Sequence, residues 1–292
     1  MHSMKTPASS IIALAVSLAL FIAQQAFAQP YIDVINVRQV LSPGSSVTQA
    51  DKSPGLLNYF NVSATLPIQF KNKKDALVLT PFFEKWTSGV GTDNGYSANH
   101  YGLALPVSLL KFIPGSRWGL MTMAIVRMND ANISKNGQFQ FGGALVGAMY
   151  KAGEHLTYKM GVYVNGEFFG LFIIPLLGID WKINDKTNLF GILPASLTLE
   201  RRLAKRLYAG AAFRTFTNSY HDSGNQYIRI DENQLGLFMD YYPARHLVLN
   251  LEAGHSLFRK IRSGTRYDIK NNWNAQNNFY VKLTLAYRLR FR

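Results

Sequence analysis

Residues 279–291 read FYVKLTLAYRLRF. Every odd position is apolar (Phe279, Val281, Leu283, Leu285, Tyr287, Leu289, Phe291), whereas the even ones are mostly polar, basic or small (Tyr280, Lys282, Thr284, Ala286, Arg288, Arg290). Successive side chains of a strand point to opposite faces, so this stretch predicts one apolar face and one basic face. The strand separates two solvents. A soluble sheet explains that once, but the same period recurs along the chain, and an apolar outside around a polar inside is the pattern of a membrane barrel.

Working outward, Asn58 to Phe70 sets Phe60, Val62, Ala64, Leu66, Ile68 and Phe70 against Asn61, Ser63, Thr65 and Gln69. In Leu156 to Glu167 the even positions Leu156, Tyr158, Met160, Val162 and Val164 oppose Thr157, Lys159, Gly161, Asn165 and Glu167. Further strands are expected at 31–41, 77–86, 101–109, 118–129, 138–150, 171–183, 189–202, 207–220, 226–242 and 247–258, with turns where Gly, Pro, Asn and Asp gather. The period slips near Asp231 to Gln234, as at a bulge or where a strand leaves the membrane. This makes an odd number of candidates, and a bacterial single-chain barrel has an even one. Either the opening segment does not cross, or 189–202 breaks at Pro194, where a sheet lacks a donor; the short turns on both sides favour the break. The expected fold is all-β, a closed antiparallel transmembrane β-barrel of about 12 or 14 strands.

The first residues carry Lys5, an apolar run from Ile11 to Ala23, and Ala26-Phe27-Ala28, the small-x-small pattern of a cleaved signal peptide. A signal peptide over 1–28 and a barrel domain over 29–292 are expected, hence export to the outer membrane of a Gram-negative bacterium. There is no Cys, which removes disulfides, thiol chemistry and an N-terminal lipid anchor. The 31 Lys and Arg against 17 Asp and Glu give a formal charge of +14. An exported chain meets no nucleic acid, so the expected acidic partners are lipopolysaccharide and outer-membrane lipid phosphates, with small anionic solutes.

By parity Glu84, Arg127, Lys159, Glu167, Asp180, Lys182, Glu200, Arg202, Arg214, Asp240, Glu252, Lys282, Arg288 and Arg290 face inward. Such a mixture fits two interiors: paired charges that satisfy one another, or a weakly anion-preferring lumen in which bases outnumber acids. No catalytic set is expected. Neighbours on a strand face opposite ways, so His255, Ser256 and Glu252 cannot assemble a nucleophile, base and acid without a bulge. His221-Asp222 reads as a polar loop with no paired carboxylates nearby, and His100, His155 and His246 lack metal-ligand spacing. Neither a metal nor a cofactor is implied, and no Gly pattern suits phosphate binding.

The stretches Tyr31-Ile32-Asp33-Val34 and Gly178-Ile179-Asp180-Trp181-Lys182-Ile183-Asn184, with the aromatic and basic last strand, make the chain resemble an uncharacterised family of outer-membrane β-barrel proteins from Bacteroidota-type bacteria. The resemblance implies a barrel and transfers no catalytic residues. One departure is that Arg292 ends the chain, displacing the terminal aromatic to Phe291. The functional expectation is a narrow pore or a solute-binding or transport barrel; a barrel enzyme acting on lipid or peptide and a structural or adhesive barrel remain open as alternatives.

Overall fold

The structure is a computed structural model that describes residues 29–46, 54–72, 74–89, 97–131, 140–222, 224–273 and 277–291. The expected signal peptide over 1–28 lies outside them. The chain forms β1 (Tyr31–Ser46), β2 (Pro54–Ala64), β3 (Leu66–Gln69), β4 (Ala76–Leu79), β5 (Phe82–Gly89) and β6 (Ser97–Phe112). Then come β7 (Trp118–Asp130), β8 (Gln140–Lys151), β9 (Leu156–Glu167), β10 (Gly170–Asn184), β11 (Thr187–Leu193) and β12 (Ser196–Ala204). The last are β13 (Leu207–His221), β14 (Tyr227–Tyr241), β15 (Leu247–Thr265), β16 (Asp268–Trp273) and β17 (Phe279–Arg290).

These strands form one closed antiparallel barrel of 14 staves. β2 and β3 follow one another along one stave, as do β4 with β5 and β16 with β17. Closure is made by β1, which pairs with β17 from Tyr31↔Arg290 to Leu41↔Val281 and on its other edge with β2. The opening segment therefore crosses. The chain also turns at 194–195, and β11 and β12 pair from Thr187↔Arg201 to Ile192↔Ser196, so the even number arises as the Pro194 break requires.

The barrel is inside out relative to a soluble domain. Among the described residues, polar and charged side chains outnumber apolar ones in the buried set, while Leu177, Leu235, Leu237, Leu251, Leu283 and Leu285 stand on the outer surface. Apolar outward faces of this extent are what hydrocarbon requires and water penalises. Tyr31 and Arg290 mark one end of the barrel, with turns at 113–117, 152–155, 185–186, 205–206 and 242–246; we call it the terminus end. The opposite end carries the turns at 168–169, 194–195 and 266–267.

One departure from a plain cylinder shapes the interior. β11 stops at Leu193, level with Leu177 of β10, and β12 begins level with Arg214 of β13, so this hairpin rises only part of the way. Above it β13 leans across the barrel: His221 bridges in parallel to Asp130 of β7, Ala131 donates its N–H to the His221 carbonyl (2.8 Å), and Asn129 Nδ2 donates to the Ser219 carbonyl (3.1 Å). The sequence supports the bend. Thr215, Thr217, Ser219 and His221 hold the outward positions of this half-strand, and none suits hydrocarbon. In β14 the pairing register shifts between Asp231 and Asn233, where the period slips in the sequence, and Phe258 opposite has a positive φ of 53°.

Candidate functional site

At the terminus end the barrel opens into a vestibule of about 1420 Å³. Among the described residues that line it there are eleven Lys and Arg against three carboxylates, Glu154, Asp180 and Asp185. Three of the cations are tied down: Lys159 to Asp180 (2.5 Å), Lys182 to Asp185 (2.8 Å) and Arg290 to Glu200. The others, Lys74, Arg117, Lys151, Lys186, Arg202, Lys205, Arg206 and Arg245, have no carboxylate partner among the described residues. Most sit in turns, where a short hairpin connection leaves a long side chain free to reach the opening. A concave basic surface with low-dielectric walls concentrates anions. The hydrogen bond from Lys182, followed by its charge, holds the Asp185 carboxyl below its ordinary pKa, so that carboxylate stays ionised and neutralises only one base.

The inner end of the vestibule is a stack of rings and guanidinium groups. The Arg290 guanidinium lies 3.8 Å from the Tyr208 ring centre and donates to the Tyr242 hydroxyl (2.9 Å), while Arg288 lies 3.7 Å from the centre of Tyr31. Arg288 also bridges Asp33 and Asp240, each at 2.5 Å. Beyond it is a small chamber of about 160 Å³. Deeper still, Glu252 accepts from Arg214 (2.6 Å), Tyr280 (2.8 Å) and Lys282. Gly236 and Gly254, paired in register, leave the space that the Tyr280 hydroxyl occupies; a Cβ on either would collide with it.

The far half of the interior is packed. Tyr59, Trp86, Tyr220, Ile230 and Tyr280 form a buried cluster with Val40 and Leu57, against which Phe216 and Ile228 pack. The Tyr59 and Trp86 rings lie 4.4 Å apart, tilted by 39°, and Phe216 lies 5.5 and 5.8 Å from them. Glu84 accepts from Tyr220 (2.5 Å), Tyr59 (3.1 Å) and Asn218 (3.0 Å) rather than from a cation. Glu167 holds the leaning half of β13 in place, accepting from Arg127 (2.9 Å), Asn165 (2.5 Å), the Ser219 N–H (3.1 Å) and the Ser219 hydroxyl.

The structure thus places Arg127, Lys159, Arg214, Lys282, Arg288 and Arg290 inside, with Glu84, Glu167, Asp180, Asp240 and Glu252. Lys182 and Arg202 open into the vestibule. Sequence parity misses Arg259, an odd residue in a strand whose odd residues point out. The bulge at Phe258 turns it inward, where it donates to Glu232 (2.6 Å) and to the Ser42 hydroxyl (2.8 Å). The slip in period is the one signal that marks it. His255 is exposed while Ser256 is buried and donates to the Asn278 carbonyl (2.9 Å), so these two never meet Glu252 as a triad. His221 pairs with Asp130 (3.0 Å), a partner far away in sequence.

Residues 106–292, more than half of the chain, match the family described as Domain of unknown function (DUF6268). The chain belongs to that family. No curated protein matches the sequence. Among solved structures, this family member is similar to the NanC porin (8% identity, 87% of this chain and 98% of that one, TM-score 0.39). It is also similar to the Pseudomonas putida toluene transporter TodX (11% identity, 88% and 89%, TM-score 0.36). A third likeness is to the translocator domain of the autotransporter NalP from Neisseria meningitidis (11% identity, 98% of both chains, TM-score 0.35).

Proposed function

We propose that the protein is an outer-membrane barrel that takes small anionic solutes into its terminus end and holds them against a closed interior, a gated solute barrel rather than a standing pore. The observation that carries this reading is the vestibule, whose unpaired bases far outnumber its carboxylates, backed by a stack of Tyr and Arg side chains and an aromatic cluster. The apolar outer face supports membrane insertion, and short turns at one end are characteristic of the periplasmic side of such barrels. The solute would enter from that side and meet bases that attract it over a screening length of about 8 Å at physiological salt.

The test uses pyranine, a trisulfonate dye, with the folded full-length protein in detergent micelles. Binding is expected to weaken as salt rises and to fall about tenfold in the double variant Lys205→Glu, Arg206→Glu. Binding indifferent to both, or no binding, overturns the reading. A steady ohmic current from the wild-type protein in planar bilayers would replace the gated barrel with an open pore.

A further inference from the structure

Three neighbouring staves put an unusual row of side chains at one height. Arg38 of β1 is in register with Thr284 of β17, and Thr284 is in register with Asn250 of β15. All three line the inner chamber. Each also has a buried polar atom without a partner: Arg38 Nε, Thr284 Oγ1 and Asn250 Oδ1. Thr284 and Asn250 are only 4% and 6% exposed, so bulk water does not satisfy them. Asn250 spends its Nδ2 on Asp240 (2.6 Å), which fixes its carbonyl oxygen as the group left over.

The charges around the chamber do not cancel. Arg38, Arg214, Lys282 and Arg288 face it, and the carboxylates bound to them are Glu252, Asp33 and Asp240. Arg38 is the base left without a carboxylate among the described residues. Glu84 lies in the same row two staves away, and its oxygens are taken by Tyr59, Tyr220 and Asn218. Arg38 is half-buried with its Nε shut off from water, and an unpaired charge so placed is stabilised by a bound counter-ion.

We propose that the chamber binds one small oxyanion that also carries a hydroxyl, of the phosphate or hydroxycarboxylate kind. The Arg38 guanidinium and the Thr284 hydroxyl donate to its oxygens, and the Asn250 carbonyl accepts from its hydroxyl. Bare halide fits the charge but leaves the Asn250 acceptor empty. The chamber of about 160 Å³ admits a group of this size and is too small for a fused polycyclic system. The site deepens the proposed anion preference of the barrel by naming where the solute stops, behind the layer of Tyr31 and Arg288.

Inorganic phosphate is the probe, measured by equilibrium dialysis against the folded full-length protein in detergent. Wild type is expected to bind one phosphate per chain, with affinity falling about tenfold or more in Arg38→Gln and about threefold in Thr284→Val. Lys85→Gln, which removes a base stacked near Tyr101 and remote from the chamber, is expected to bind as wild type does. The proposal is overturned if wild type shows no saturable binding, or if Arg38→Gln and Thr284→Val both bind phosphate like the wild type. Chloride displacing phosphate at equal concentration also overturns it. Pyranine is too large for the chamber, so its binding reports the vestibule, whereas phosphate binding that is lost in Arg38→Gln but kept in Lys205→Glu, Arg206→Glu reports the chamber, and each reading can fail alone.

Discussion

The Arg288 guanidinium clasps Asp33 across the seam where the last strand meets the first, donating from Nε (2.5 Å) and Nη2 (3.0 Å), two residues that are 255 positions apart. Its Nη1 reaches Asp240 on a third stave (2.5 Å). One side chain therefore joins the closing strands and braces them against β14, two staves further round the wall. Removing Arg288 takes the cation from the buried Asp240 and the half-buried Asp33 together, whereas removing the charge of Asp33 leaves the bond to Asp240 intact.

Arg288→Met is accordingly expected to lower barrel stability by about 3 kcal/mol or more, and Asp33→Asn by about 1 kcal/mol. Urea unfolding in lipid vesicles, or the temperature at which the folded band is lost on gels, measures both. Equal effects would mean that the Asp240 contact contributes nothing.

The outer face makes a depth-dependent prediction. Leu237, 72% exposed and in the middle of an outward run, and Leu283 of the last strand both belong in hydrocarbon. Arg at either position is expected to cost roughly 2–4 kcal/mol, whereas Arg at Leu203, one residue from the terminus end of β12, is expected to cost about 0–1. Similar folding of all three variants in vesicles would remove the membrane from the account.

The turn at the end of β3 carries a pH dependence. Asp75 accepts the Phe112 N–H (2.8 Å) and a bond from Asn72 Nδ2 (2.8 Å), tying the turn to the end of β6. The backbone hydrogen bond first, and the Asn72 bond next, lower its carboxyl pKa. A depressed pKa contributes stability above the unfolded value, near 3.9, and that contribution is lost as pH falls through the folded value. The group is half-exposed in a surface turn, so the effect is small. Asp75→Asn is expected to flatten the acid limb of the unfolding profile while leaving neutral pH nearly unchanged, and an unaltered limb would show that this turn does not couple to folding.

Much of the barrel wall was legible because the β period is local. In β17 alone, parity separates Leu283 and Leu285 from Lys282 and Thr284, and the Pro194 break follows from a missing N–H. The interior was less legible because its partners are set by closure rather than by neighbours: Glu200 finds Arg290 and Asp33 finds Arg288 only once the ring is complete. The lean of upper β13 leaves the strand period unchanged, and only the polar outward residues Thr215, Thr217 and Ser219 mark it. Arg259 was hidden by one residue of bulge. The chamber row needed the register itself, since nothing in the sequence aligns Arg38, Thr284 and Asn250.

The aromatic cluster yields the last prediction. Trp86 is 1% exposed and packs between Tyr59 and Phe216, and Phe216 rides on the half of β13 that leans across the barrel. If these rings obstruct the lumen, removing two of them leaves a cavity lined in part by Glu84, Asn218 and the buried tyrosine hydroxyls, polar enough to hold water. Wild type is expected to show no steady current in planar bilayers, and the double variant Trp86→Ala, Phe216→Ala is expected to show discrete openings. The arithmetic of stability limits the experiment: two large-to-small changes in a packed cluster cost about 3–5 kcal/mol each, so the folded band must first be verified. A correctly folded double variant that stays silent would place the obstruction elsewhere, with the Tyr31, Arg288 and Arg290 layer next in line. Openings in the variant whose reversal potential in a salt gradient favours anions would join the vestibule and the cluster into one gated path.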